Sequence, residues 1–538
     1  MSDFTFLIKE AMIVDGTGRK AFYGSIRVEG ERIVDVVERT SNARADMVID
    51  ATGLVASPGF IDMHSHSDFE LLVNPLAESK VRQGVTTEVI GNCGSSAAPL
   101  NDLLKEDILK TMPMLEEAEL ELTWSTMSEY VNLLQGKGVA LNVAPLVGNS
   151  NIRVFPLGFE NRSPTQYELE EMKNILAQAM EDGVFGMSTG LIYPPSCYAN
   201  TDELVELAKV VTQFGGIYTS HIRGEEITLI NAVKEAIEIG ERAGVPVEIS
   251  HHKASGKANW GKVRHTLLMM EEARKRGVDV TCDVYPYTAG WTGLDALLPP
   301  TAYEGGVEKL IKRLRNPETR GKIKEEMMRT REEGELDLLG APDWGIVMIS
   351  YCKGHPDLEG KTIEDVAKEK DVDPFEFVFD LLIEEKASVS IVEFTMCEED
   401  MRHVLSHRLS MVGSDSSALA PYGVLGKGKP HPRTYGTFPR ILGRYVRKER
   451  ILTLENAIRK MTSLPAQKLK LKDRGLVREG MWADLVIMDP KRVIDQATYQ
   501  KPHQYPKGIE YVLVNGKLVI EHGEHTKALP GRVLHLSH

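Results

Sequence analysis

Apolar and polar residues alternate in short runs along the first stretch of the chain. FLIKEAMIVDGTG, GSIRVEGERIVDVVE and DMVIDATGLVASPG are separated by glycine turns, which is the pattern of strands joined tightly. The last stretch has the same style in GLVREGMWADLVIMD and GIEYVLVNGKLVIEHGEHT, where Asn515-Gly516 joins two alternating runs as a hairpin turn. The two ends together predict one small β-sandwich from residues 1–57 and 465–538. No repeat is strong enough to suggest a solenoid.

The middle of the chain alternates buried strands with amphipathic helices. Candidate strands are FIDMHSH (60–66), VTTEVIGNCG (85–94), VALNVAPLVG (139–148), GVFGMSTG (183–190), GGIYTSH (215–221), VPVEISH (245–251), VDVTCDVYP (278–286) and SMVGSD (410–415). Between the fifth and sixth, ITLINAVKEAIEIGERAG sets Ile230, Val233 and Ile237 at helical spacing. Eight strands with mostly helical connections predict a (β/α)8 TIM-like barrel over 58–464, with a doubly wound open sheet as the alternative. Residues 295–344 are charged, helical and lack a core strand. They read as an insertion after the seventh barrel strand: a lid, a small subdomain, or a solvated helix pair with no part in the chemistry. GIVMISY (345–351) and ASVSIVEF (387–394) are strand-like runs for which an ideal barrel has no place.

Composition narrows the function classes. The chain has 538 residues, 42% hydrophobic and 26% charged, enough for a large core. A net charge of −14 and a pI near 5.6 argue against nucleic acid or an anionic membrane as the main partner. No apolar run approaches the roughly 20 residues that span a bilayer, and the first residues lack the apolar stretch and cleavage site of a signal peptide. Cys93, Cys197, Cys282, Cys352 and Cys397 are odd in number and scattered, which predicts no disulfide framework and a reducing, cytoplasmic setting.

Most of the 15 histidines need no chemical explanation, but position singles out a few. His64 and His66, at i and i+2, end an apolar strand with both side chains on one face. Cys93, His221, His251 and Asp415 each fall at the C-terminal end of another candidate strand, the active face of a barrel. Imidazole, thiolate and carboxylate suit zinc, and metal binding would make Cys93 a ligand rather than a free nucleophile. Strand alternation puts His251 and His252 on opposite faces, so one of the two can bind metal through that strand.

Several motifs resemble one family. PGFIDMHSHSD looks like the opening motif of the amidohydrolase superfamily. GNCG (91–94), STGLIYPP (188–195), SHIRGE (220–225), EISHHK (248–253), DVYPYTAG (283–290), GSD (413–415) and HPRTYGTFPR (431–440) resemble the N-acyl-D-amino-acid deacylases (D-aminoacylases) within it. The likeness covers almost the whole chain. It implies a catalytic barrel flanked by a β-sandwich, tight zinc binding through Cys93, His221 and His251, and a second, weaker site at His64 and His66. It selects His251 over His252, which is then packed or supporting. Many superfamily members bridge two metals with a carboxylated lysine on the fourth strand. No lysine occurs between Lys173 and Lys209 here, so Cys93 is the substitute anion and one catalytic zinc is favoured.

The resemblance makes Asp415 the general base, taking a proton from the metal-activated water and delivering it to the departing amine. Lys253, Tyr285 and Arg433 match the family's substrate-binding positions, with Arg433 offering a bidentate fork for a carboxylate. Two features depart from the pattern: Trp291 stands where a small serine is expected, and the 416–430 loop is long. The expected reaction is hydrolysis of an N-acyl-D-amino acid, a small-molecule substrate. Rival readings are hydrolysis of cyclic amides or imides (dihydroorotase or hydantoinase type) or of D-dipeptides, and a non-catalytic scaffold protein.

Overall fold

Five strands open the chain: β1 (Thr5–Ile13), β2 (Phe22–Glu29), β3 (Arg32–Val37), β4 (Met47–Asp50) and β5 (Val55–Pro58). The computed structural model describes residues 4–38, 41, 43–333 and 343–536. In it these strands make five of the nine strands of one sheet. Their alternation buries Phe6, Ile8, Ile26, Val28 and Ile33 in one apolar layer with residues from the other end of the chain.

From Phe60 onward the strands run parallel. They are β6 (Phe60–Asp62), β7 (Val85–Ile90), β8 (Asn142–Pro145) with its continuation β9 (Val147–Gly148), β10 (Gly186–Gly190), β11 (Ile217–His221), β12 (Val247–Ile249) and β13 (Val280–Val284). Helices cover them, and both strand faces are buried, as parallel sheets require. The helix Leu229–Ala243 buries Leu229, Ala232, Val233, Ala236, Ile237 and Gly240. Ile230, expected on that face, is only half-buried. Leu229 takes the place because it stands four residues before Val233 on the same stripe.

The chain then leaves the barrel. β14 (Gly290–Gly293), β15 (Val347–Cys352) and β16 (Val389–Glu393) form a small antiparallel sheet with β16 in the centre. This gives the strand-like runs 345–351 and 387–394 a home. Helices Val307–Arg315 and Pro317–Glu333 belong to the same unit. The first presents Val307, Leu310 and Leu314 to a separate core with Val347, Ile349, Val378 and Ile391. The charged insertion of 295–344 therefore buries an apolar stripe against a sheet instead of standing in water. Residues 334–342 of it lie outside the described residues.

The chain returns through β17 (Ser410–Val412), which pairs with β13. The Met63 N–H then donates to Val412 O at 3.2 Å and the Asp415 N–H to His64 O at 2.8 Å. These contacts bring the last strand back to the first. The result is a closed eight-stranded (β/α)8 barrel, not an open doubly wound sheet.

The last strands are β18 (Leu485–Met488), β19 (Ile509–Val514), β20 (Lys517–Glu521) and β21 (Glu524–His525). β18 pairs with β5 and so joins both chain ends in the outer sheet. Between β19 and β20, Asn515 (φ 48°) and Gly516 (φ 74°) are both left-handed, the geometry of a type I′ turn. No described helix is long and apolar enough to cross a membrane.

Candidate active site

The six metal-capable residues meet on the C-terminal rim. His221 is the last residue of β11, and Cys93, His251 and Asp415 follow the ends of β7, β12 and β17. His64 and His66 lie beyond the ladder of β6, which stops at Asp62. There the Asp62 Oδ1 accepts the N–H of Ser414 at 2.7 Å and faces that of His64 at 3.4 Å. Lys80, wholly buried, donates to Asp62 Oδ2 (2.8 Å), Ser414 Oγ (2.7 Å) and Ser416 O (2.7 Å). This network locks the two ends of the barrel together, so the pair of histidines and Asp415 are held as one unit.

Cys93 sits at the centre. Its Sγ is 3.3 Å from His64 Nε2, 3.6 Å from His221 Nδ1 and 3.5 Å from His251 Nε2. Two groups that could hold a metal share it: Cys93 with His221 and His251, and Cys93 with His64, His66 and Asp415. A tetrahedral zinc with Zn–S near 2.3 Å and Zn–N near 2.0–2.1 Å has a sulfur–nitrogen edge of about 3.6 Å. The edges to His221 and His251 match that value, so the residues fit a zinc ion.

The backbone is bent to achieve this. Cys93 (φ 52°), His251 (φ 34°) and Asp415 (φ 52°) are left-handed although none is glycine, at a cost of about 1–3 kcal/mol each. Glycines provide the close approach around them. A Cβ on Gly190 would stand 2.1 Å from Cys93 O, and one on Gly413 would stand 2.6 Å from His64 Cβ.

Burial alone would raise the Cys93 thiol, but the His64 and His251 charges and hydrogen bonds from His221 and His251 hold it well below its usual range. Asp415 is likewise buried. Arg433 leads the opposing effects, with His251, His64 and His66, and keeps its carboxyl well below normal. Asp415 Oδ1 is 3.1 Å from His66 Nε2 and 3.5 Å from His64 Nε2, while Oδ2 is 3.0 Å from Arg433 Nη1.

Two supporting carboxylates had no role assigned from the sequence. Glu225 Oε1 lies 2.6 Å from Lys253 Nζ, 3.2 Å from His251 Nδ1 and 3.9 Å from His221 Nε2. It thus faces the far nitrogen of both rings whose near nitrogens meet Cys93; His251 Nδ1 lies 2.8 Å from Lys253 Nζ as well, and His221 Nε2 has no hydrogen-bond partner. Asp283 faces the far nitrogen of His64, with Oδ2 at 3.3 Å from Nδ1, and its Oδ1 accepts the His251 N–H at 2.9 Å. Their only sequence signal was membership of SHIRGE and DVYPYTAG. His252 turns away from the centre, with Nε2 at 2.8 Å from Thr266 Oγ1.

A cavity of about 400 Å³ opens on this rim and is lined by Cys93, His66, His221, His251, Asp415, Lys253, Tyr285 and Arg433. Lys253 is engaged by Glu225, whereas Arg433 Nε and Nη1 are buried without a hydrogen-bond partner. The Arg433–Asp415 contact is thus an ion pair lacking hydrogen-bond geometry. The Tyr285 ring lies beneath the Arg433 guanidinium at 4.5 Å. Trp291 also lines the cavity from β14, its Nε1 donating to Ser350 Oγ at 3.0 Å.

The chain is similar to known proteins along nearly its whole length. The Amidohydrolase family model matches residues 47–520. D-aminoacylase of Alcaligenes xylosoxydans xylosoxydans is 34% identical over 531 residues, 99% of this chain and 97% of that protein. N-acyl-D-aspartate deacylase of the same organism is 35% identical over 532 residues, 98% and 94% of the two chains. A crystal structure of N-acyl-D-glutamate deacylase from Bordetella bronchiseptica, complexed with zinc and a phosphonate mimic of the tetrahedral intermediate, has a TM-score of 0.82. It is 32% identical and the match covers 99% of this chain and 100% of that one.

Proposed function

Because this chain belongs to the amidohydrolase family, in its D-aminoacylase branch, we propose that its site hydrolyses N-acyl-D-amino acids to a carboxylate and a free D-amino acid. Cys93, His221 and His251 hold the tight zinc, and His64 and His66 with the shared thiolate form a weaker second position. The observation that carries the reading is Arg433. A buried guanidinium with unspent donors faces the same cavity as Asp415 and the metal groups, as a substrate with a free α-carboxylate needs.

When bound, zinc supplies a Lewis acid for the amide carbonyl and makes water more acidic. Asp415 accepts the proton released as water adds to the carbonyl carbon. It gives that proton to the amine nitrogen as the C–N bond breaks. His66, His64 and Arg433 keep its carboxylate ionised and aimed into the cavity. The Arg433 fork binds the α-carboxylate, and the Tyr285 ring beneath it limits the guanidinium's freedom. All five cysteines are free, which supports a reducing, cytoplasmic setting.

A panel of N-acetyl-D- and N-acetyl-L-amino acids, run with zinc quantification, tests the proposal. Amine release from the D-forms is expected, with no reaction on L-forms, hydantoin or dihydroorotate. Turnover of the cyclic compounds alone would overturn it.

A further inference from the structure

One carboxylate in the cavity has no part in the chemistry above. Glu393 closes β16, lines the cavity and is only 2% exposed. Its Oε1 is buried without a hydrogen-bond partner. The lysine and arginine among the lining residues have other tasks: Lys253 Nζ is held by Glu225 at 2.6 Å, and Arg433, 3.0 Å from Asp415, keeps its free donors for the substrate α-carboxylate. A buried carboxylate without a cation is costly. Burial first, then the neighbouring Glu226 and Glu225 charges, push the Glu393 carboxyl up to about 8, with Lys253 opposing. Such a group gains most from a donor brought in by a ligand.

We propose that Glu393 is a specificity-determining residue that receives a cationic nitrogen group of the substrate, an ammonium or guanidinium. The inference rests on the deacylase reading and names the substrate class of the same site. Leu104, Ile108, Met112 and Phe159 give the cavity apolar walls suited to the aliphatic stem of such a group. An acidic side chain would instead meet Glu393 and Asp107, and among the described lining residues Lys253 is held by Glu225 and Arg433 is assigned to the α-carboxylate. The cation can come from a basic D-amino-acid side chain or from the amino end of an aminoacyl group.

The test compares kcat/KM of the zinc-loaded full chain on four compounds. N-acetyl-D-lysine and N-acetyl-D-norleucine have side chains of similar length and differ in charge; β-alanyl-D-norleucine moves the ammonium to the acyl side; N-acetyl-D-glutamate reverses the sign. At least one cationic compound should exceed N-acetyl-D-norleucine by tenfold or more, and which one does assigns the source of the cation. N-acetyl-D-glutamate should fall at least tenfold below. In Glu393→Gln the cation preference should shrink at least tenfold. Equal rates for cationic and neutral compounds in the wild-type chain would overturn the assignment even if the variant does not fold, as would a preference that survives E393Q. N-acetyl-D-norleucine turnover without a cation preference would sink this inference alone. Failure of every compound with zinc bound would sink the deacylase reading and this inference with it.

Discussion

Glu225→Gln separates the two tasks of one buried carboxylate. Glu225 is 2% exposed and sits 2.6 Å from the Lys253 ammonium and 3.2 Å from His251 Nδ1. The amide keeps the shape but removes the charge, so Lys253 becomes a buried cation without its partner. Breaking a buried pair from one side costs about 3–5 kcal/mol of stability. Losing a carboxylate that orients metal ligands weakens metal binding about 10–100-fold, or about 1.4–2.7 kcal/mol. The double variant Glu225→Gln/Lys253→Met removes both buried charges. It should regain most of the stability, whereas zinc affinity should stay low because His251 still lacks its carboxylate. Thermal unfolding of the metal-free proteins reads the first effect, and zinc titration against a competing chelator reads the second. The reasoning fails if E225Q binds zinc within twofold of wild type, or if the double variant recovers affinity together with stability.

Three further outcomes follow from the site. Cys93→Ala should deplete zinc from both positions, since they share the thiolate, and turnover should be lost with it; full metal content would show that sulfur is not a ligand. Asp415→Ala should lower kcat by about 10²–10⁴-fold, the usual worth of a proton carrier, with tight zinc retained by elemental analysis; a near-normal rate would move the proton transfer elsewhere. Arg433→Met removes two charge-assisted bonds of about 1.5–3 kcal/mol each, so kcat/KM should fall at least about a hundredfold on N-acyl amino acids. An equal loss on an N-acyl amine without a carboxylate would mean that Arg433 acts on Asp415 and not on substrate.

How much of this was legible depends on whether the signal was local. The strand ends were, because an apolar run followed by His64, His66, Cys93, His221, His251 or Asp415 is read within ten residues. So was the hairpin at Asn515-Gly516, whose φ values the dipeptide itself favours. The β14–β16–β15 sheet was not, since its strands are separated by 36 or more positions, with helices between them. Nor was Glu225: nothing in SHIRGE shows that its carboxylate reaches Lys253, 28 positions away. Ile230 was misplaced for a related reason, as a helical stripe drifts and a neighbouring leucine can equally take the buried position.

By itself, then, the sequence determined the period of each segment, the parallel strands and which chemistries end them, because those depend on neighbours a few residues apart. Tertiary structure alone decided that the ring closes and that one thiol is shared by two groups that could hold a metal. It also decided which cations are spent and which carboxylate is left without one. Those are distances across the barrel mouth, created when β17 meets β6 and the excursion folds over them. Burial then makes each pairing, or lack of it, matter far more than it would in water.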